Sequence, residues 1–265
     1  MTRKATVSFA WVFFYLTVYM SLQLGYSFLS KLLEQFGMQP ESGVGSTIIM
    51  AGITAVLVYI AILRLRDKSF LNECRFRAIS GRHLATSAVL GISGLAVSSL
   101  LLAGLSMFLD SAYLEHMENM ELILKGNKFI VFASVGIAAP IVEEVIFRGL
   151  IFRELEKVMS IKATVVVQAL LFGIYHFNVA QGIYTVFLGI VLGLSLAWTR
   201  SIWAPIVIHM VNNSVSYAFS FLSDKNEVVL SVVGLVLMLA LILFPVLMRY
   251  LYKTRVDRRF TAHRN

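Results

Sequence analysis

The sequence predicts an all-α, polytopic membrane protein with about eight transmembrane helices. Three observations carry this. First, the 265-residue chain is 58% hydrophobic, has a mean hydropathy of +0.79 and is only 14% charged, where a soluble domain has about a quarter of its residues charged. Second, apolar runs near the roughly 20 residues needed to cross a bilayer recur along the chain. Third, Lys and Arg collect on one side of the alternation that those runs define.

The runs fall at about 6–30, 46–64, 84–109, 129–152, 163–178, 182–199, 202–222 and 228–252. The first is long for a signal-peptide core, and no small-residue cleavage site follows it. The second stops at the basic segment around Arg64, Arg66 and Lys68, and the third precedes the acidic stretch DSAYLEHMENMELILKGNK. The fourth to seventh are shorter or studded with polar residues, and the eighth leads into a basic tail. Three regions result: 1–128, N-terminal helices and loops; 129–222, a polar-studded core; and 223–265, a last helix with its tail.

Eight spans place both termini on one side. With that side cytoplasmic, eighteen cations lie inside: Arg3, Lys4, Arg64, Arg66, Lys68, Arg75, Arg77, Arg82, Arg153, Lys157, Lys162, Arg200, Arg249, Lys253, Arg255, Arg258, Arg259 and Arg264. Four lie outside (Lys31, Lys125, Lys128 and Lys225), and Arg148 sits within a span. This is the positive-inside pattern. It accounts for the net charge of +8 through basic loops facing anionic lipid, so no nucleic-acid partner is expected. The acidic stretch falls outside, as a surface helix. The lone cysteine, Cys74, excludes an internal disulfide and a CxxC zinc site.

Ionisable residues inside a bilayer are costly and face a bundle interior or a water-filled cavity. PIVEEVIFRG, Pro140 to Gly149, puts three of them in one run. Glu144 and Arg148 are four apart, so on a helix they share a face and can pair. Glu143 points about 100° away from Glu144 and stays free. Pro140 offers no N–H and loosens the helix one turn earlier. FGIYHF carries His176 one turn after Phe172, and HMVNN carries His209 and Asn213 on a shared face, with Asn212 pointing elsewhere. Asn178 and Gln181 lie in a short connection. A single membrane histidine is most often an interhelical contact. Taken together, a free carboxylate, two imidazoles and an amide are the parts of a hydrolytic site. His83, His116 and His263 are expected to face solvent.

The ordered trio EEVIFR, FGIYH and HMVNN resembles the CPBP intramembrane proteases, also called the Abi family. These cover CAAX prenyl endopeptidases and bacteriocin-processing or immunity proteins, with the pattern EExxxR, FxxxH, HxxxN. The likeness runs from about Phe129 to Phe221. It implies a CAAX-protease-like catalytic core of eight helices, with a cavity open to membrane and cytoplasm. Glu143 and His176 would activate a water, His209 and Asn213 would hold the oxyanion, and Glu144 and Arg148 would support them. A carboxylate with a histidine can deprotonate water, and an amide and an imidazole N–H can donate to an oxyanion.

The expected mechanism uses no cofactor. A zinc-dependent form, with Glu143, His176 and His209 as ligands, is the alternative, although HExxH is missing and the histidines sit on different helices. Other readings are a transporter, against which no inverted repeat is seen, and a non-catalytic membrane regulator or bacteriocin-immunity protein. Expected partners are the bilayer and a membrane-associated peptide or protein substrate. The expected location is a bacterial cell membrane, with both termini cytoplasmic.

Overall fold

In the computed structural model, which describes residues 2–37, 43–221 and 227–256, all eight predicted runs are helical. They are α1 (Arg3–Gln35), α2 (Gly43–Leu65), α4 (Gly81–Ser106), α6 (Lys128–Leu155), α7 (Ile161–Tyr175), α8 (Val179–Thr199), α9 (Trp203–Ser220) and α10 (Glu227–Lys253). A four-residue turn, α3 (Phe70–Glu73), lies between α2 and α4. The acidic stretch forms α5 (Asp110–Leu124). Among the described residues, six helices are long and apolar enough to cross a membrane: α1, α2, α4, α6, α8 and α10. α7 is apolar but has only 15 residues, and α9, with its His and Asn residues, is not among the six. The all-α polytopic class therefore stands. Arg258, Arg259, Arg264, His263 and Lys225 lie outside the described residues.

Helix starts follow from local chemistry. Thr2, Ser80, Ser160, Asn127 and Asn178 each precede a helix, and each side chain accepts from a first-turn N–H. That bond satisfies one of the donors a helix start leaves open, worth about 1 kcal/mol. α8 ends at Arg200, whose left-handed φ of 58° turns the chain sharply into α9.

α6 is the central element. Its residues Val145–Phe152 are all buried, and α1, α2, α7, α8 and α9 pack around it. α4 packs on α9, α8 and α10. α10 lies at the edge and presents Val228, Leu235, Ile242 and Val246 outward, the surface expected where the solvent is lipid. Small residues allow close approach. A Cβ on Gly173 would sit 2.7 Å from the Gly182 carbonyl, and one on Gly193 would sit 2.5 Å from the Gln168 amide.

α6 is not a uniform α-helix. Residues Phe132–Ala138 and Val145–Ile151 are π-helical, and between them lies the α-helical turn Ala139–Glu144. Short π-segments are rare and gather at functional sites. The two carboxylates sit on the turn between them.

One end of the bundle is tied by ion pairs. Arg66 and Lys157 flank Glu154 at 3.3 and 2.6 Å, Lys68 and Arg153 reach Glu73 at 3.4 and 3.7 Å, and Arg153 and Arg75 both hold Glu156. The Ile202 N–H donates to the Arg75 carbonyl at 3.0 Å, and the Ser201 hydroxyl donates to the Arg77 carbonyl. The α2–α4, α6–α7 and α8–α9 connections thus share one end of the bundle. The sequence assigned the same three connections to one side.

His116 departs from expectation. It is 4% exposed rather than solvent-facing, with its ring edge-on to Tyr184 of α8 at 5.7 Å. The reason is packing: α5 lies against α4 and α8 instead of standing free, and Asn178 donates to the Ala112 carbonyl at 3.4 Å. His83 is half-buried and shares a hydrogen bond with Thr254 at 2.9 Å.

Candidate active site

Arg148 is fully buried. Its Nη1 donates to Glu144 Oε1 at 3.0 Å and its Nη2 to the Gly189 carbonyl at 3.3 Å. Its guanidinium stands 4.4 Å from the Phe172 ring centre, a cation–π contact. The i, i+4 pairing read from the sequence is therefore present. His209 Nδ1 also donates to Glu144 Oε1, at 2.8 Å. One carboxylate oxygen thus joins α9 to the α6 arginine.

Glu143 points away from this pair. Among the described residues its carboxylate pairs with no arginine; it retains 12% side-chain exposure and lies with Oε2 3.8 Å from His209 Nε2. His209 therefore stands between the two carboxylates, bonded to one through Nδ1 and facing the other through Nε2. His176 caps the end of α7, and its Nδ1 donates to the Phe172 carbonyl at 2.7 Å. With Nδ1 carrying the proton, Nε2 of the neutral ring holds a lone pair. Phe172 links the two histidines, edge-on to His176 at 4.9 Å and to His209 at 5.7 Å. Asn213 Nδ2 donates to the Val135 carbonyl at 3.1 Å. Asn212 points elsewhere, to the Gly91 carbonyl at 3.4 Å.

Two groups escaped the sequence reading. Gln168 of α7 is fully buried and donates to the carbonyls of Gly189 at 2.8 Å and Val165 at 2.9 Å. It shares the Gly189 oxygen with Arg148. Its signal was a lone amide in the apolar run VVVQALLF. Tyr175, beside His176, donates to Gln23 of α1 at 2.7 Å and stacks on Tyr19 at 5.7 Å. Nothing local marks that wall, because half of it comes from a helix about 150 residues away.

Glu143, His176 and His209 are the donor types zinc takes. Among the described residues, however, no group of three or more His, Cys, Asp or Glu side chains converges to hold a metal ion. These residues do not fit a zinc site as they stand.

The sequence profile of the Type II CAAX prenyl endopeptidase Rce1-like family matches residues 125–215, the segment holding all three motifs. The chain is 31% identical over 113 residues to the "Membrane-embedded CAAX protease MroQ" of Staphylococcus aureus (strain USA300). That match covers 40% of this chain and 45% of MroQ, so the chain spans under half of that relative's length. It is 25% identical over 213 residues to the "Putative membrane peptidase YdiL" of Bacillus subtilis (strain 168), covering 76% of this chain and 85% of that protein. No solved structure matches. Fold, motifs and relatives define a polytopic membrane protein with a CAAX-protease-like core. By these matches the chain is similar to the CAAX proteases over residues 125–215 and to a putative membrane peptidase over most of its length.

Proposed function

We propose that the chain is an intramembrane endopeptidase that hydrolyses peptide bonds of a membrane-associated peptide or protein. The observation that carries this is Glu143: a carboxylate inside the bundle that forms no arginine ion pair among the described residues, beside His209, whose ring shares Phe172 with that of His176. Glu143 takes a proton from a water that the His176 Nε2 lone pair also orients. The water oxygen bonds to the peptide carbonyl carbon. The amide N–H of Asn213 not engaged by Val135 donates to the oxyanion, and so does His209, which in this step carries protons on both ring nitrogens, Nδ1–H on Glu144 and Nε2–H on the oxyanion. The C–N bond then breaks, and Glu143 returns its proton to the leaving amine. Glu144, Arg148 and Gln168 hold the first residues in place. The ion-paired end of the bundle is the cytoplasmic one, and both termini lie on that side.

Glu143→Gln keeps the shape and removes the base. We expect cleavage of membrane peptides, read by comparing the peptidomes of wild-type and variant cells, to disappear while thermal unfolding in detergent stays unchanged. Near wild-type cleavage by Glu143→Gln would overturn the base assignment. Zinc dependence is tested separately. The metal-free reading expects purified enzyme to lack stoichiometric zinc and to survive strong chelators. One zinc per chain, lost together with activity in His176→Ala, would replace it with the metal mechanism.

A further inference from the structure

Pro140 lacks an N–H. A residue there would otherwise donate to the carbonyl four residues back, Gly136, or, in the π-register of this segment, five back, Val135. The neighbouring N–H does not cover the gap, because Ala139 reaches back five residues to the Ser134 carbonyl. Unserved buried carbonyls are costly. Both are served here by consecutive side chains of α9. Asn213 Nδ2 donates to Val135 O at 3.1 Å, and Ser214 Oγ donates to Gly136 O at 3.2 Å. Gly136 makes the approach feasible, since a Cβ there would stand 3.0 Å from the Ser214 oxygen. On the same helix, Tyr217 donates to the Lys128 carbonyl at 2.7 Å and His209 to Glu144 at 2.8 Å. α9 is thus fastened along α6 from its first residue to the carboxylates, and the two middle fastenings fall on the two carbonyls that an N–H at position 140 could have served.

We propose that Ser214 is a positioning residue, and that Asn213 shares this role through one amide N–H: the two clip the π-segment of α6 to α9 and so fix where Glu143 sits relative to His209. The catalytic part of this inference rests on the function proposed above. The clip itself does not. Asn213 then has two tasks, one N–H for the α6 backbone and one for substrate. Ser214 has only the first, so it isolates the effect of the clip.

The test uses the full-length protein in detergent. Ser214→Thr keeps the hydroxyl, while Ser214→Val has the same shape without it. Misplacing a reacting group by about 1 Å costs on the order of 100-fold in rate, so Ser214→Val is expected to lose about 10- to 100-fold in kcat with little change in KM and to unfold at lower temperature. Ser214→Thr should stay close to wild type in both. Pro140→Ala supplies the missing N–H, so the Ser214→Val deficits should shrink in that background, as coupled sites require. Equal behaviour of Thr and Val would overturn the proposal, as would equal Val deficits in both backgrounds. If Pro140→Ala does not fold, the Thr–Val comparison decides alone. If wild type cleaves nothing but the thermal coupling is present, the clip stands and the protease reading falls.

Discussion

Glu144 and Arg148 do different work from Glu143, and the difference is one of burial and partners. Both are buried away from solvent, and Glu144 answers Arg148 and His209 through a single oxygen. Removing one member of a buried ion pair leaves an uncompensated charge in a low-dielectric site, which costs about 3–5 kcal/mol. We therefore expect Glu144→Ala and Arg148→Ala to lower the unfolding temperature in detergent markedly and to reduce activity together with it. Arg148→Lys should not rescue, because an ammonium cannot reproduce the fork that reaches Glu144 and the Gly189 carbonyl together. Fully stable but inactive alanine variants would show that the pair is not structural. The same logic separates Glu143, where the glutamine variant leaves no charge stranded.

Two elements outside the spans carry pH dependence, and both lose stability on the acid side. Burial of His116 on α5 holds its pKa below the usual histidine value. The groups facing it are Tyr184 of α8, His176 at the end of α7, and the Asn178–Ala112 tie beside it. An unfolded or undocked imidazole then binds a proton more readily than the docked one. The docking of α5 is complete above about pH 6.5 and weakens as pH falls below it. Hydrogen exchange of α5 amides should quicken between pH 7 and 5, and His116→Phe, which keeps an aromatic edge against Tyr184, should flatten that response. A pH response unchanged in His116→Phe would remove His116 as its source. Glu156 acts in a lower window. Burial pushes its carboxyl up, but Arg75 and Arg153 outweigh this and hold it below the usual range. Its contribution is present above about pH 4.3 and is lost as pH falls further.

Across the whole molecule, the sequence made the helices legible because lipid-facing segments are apolar over most of their circumference, a signal that needs no tertiary knowledge. The Glu144–Arg148 pair was legible because i, i+4 contacts are local. The π-segments were not: the carbonyls of the first are met by α9 side chains 78 residues later, a contact that no local pattern announces. His116 was misjudged for the same reason: its burial is created by docking of α5, and a polar surface helix reads alike whether docked or free. Orientation is a matter for the whole bundle, and the ion-paired end makes it testable. Arg77 is exposed at that end and Glu118 is exposed on α5. Each can be replaced by cysteine without removing Cys74, because Cys74 is fully buried and burial pushes its thiol pKa up, away from the reactive thiolate. With the basic end cytoplasmic, an impermeant maleimide should label Glu118→Cys in intact cells and Arg77→Cys only after lysis. The three connections held by Glu73, Glu154, Glu156 and the Arg75 and Arg77 carbonyls must label as one group, since no membrane can pass between groups in hydrogen-bond contact. External labelling of Arg77→Cys would therefore invert the whole bundle rather than one loop, and would place the basic end, with every connection tied to it, outside.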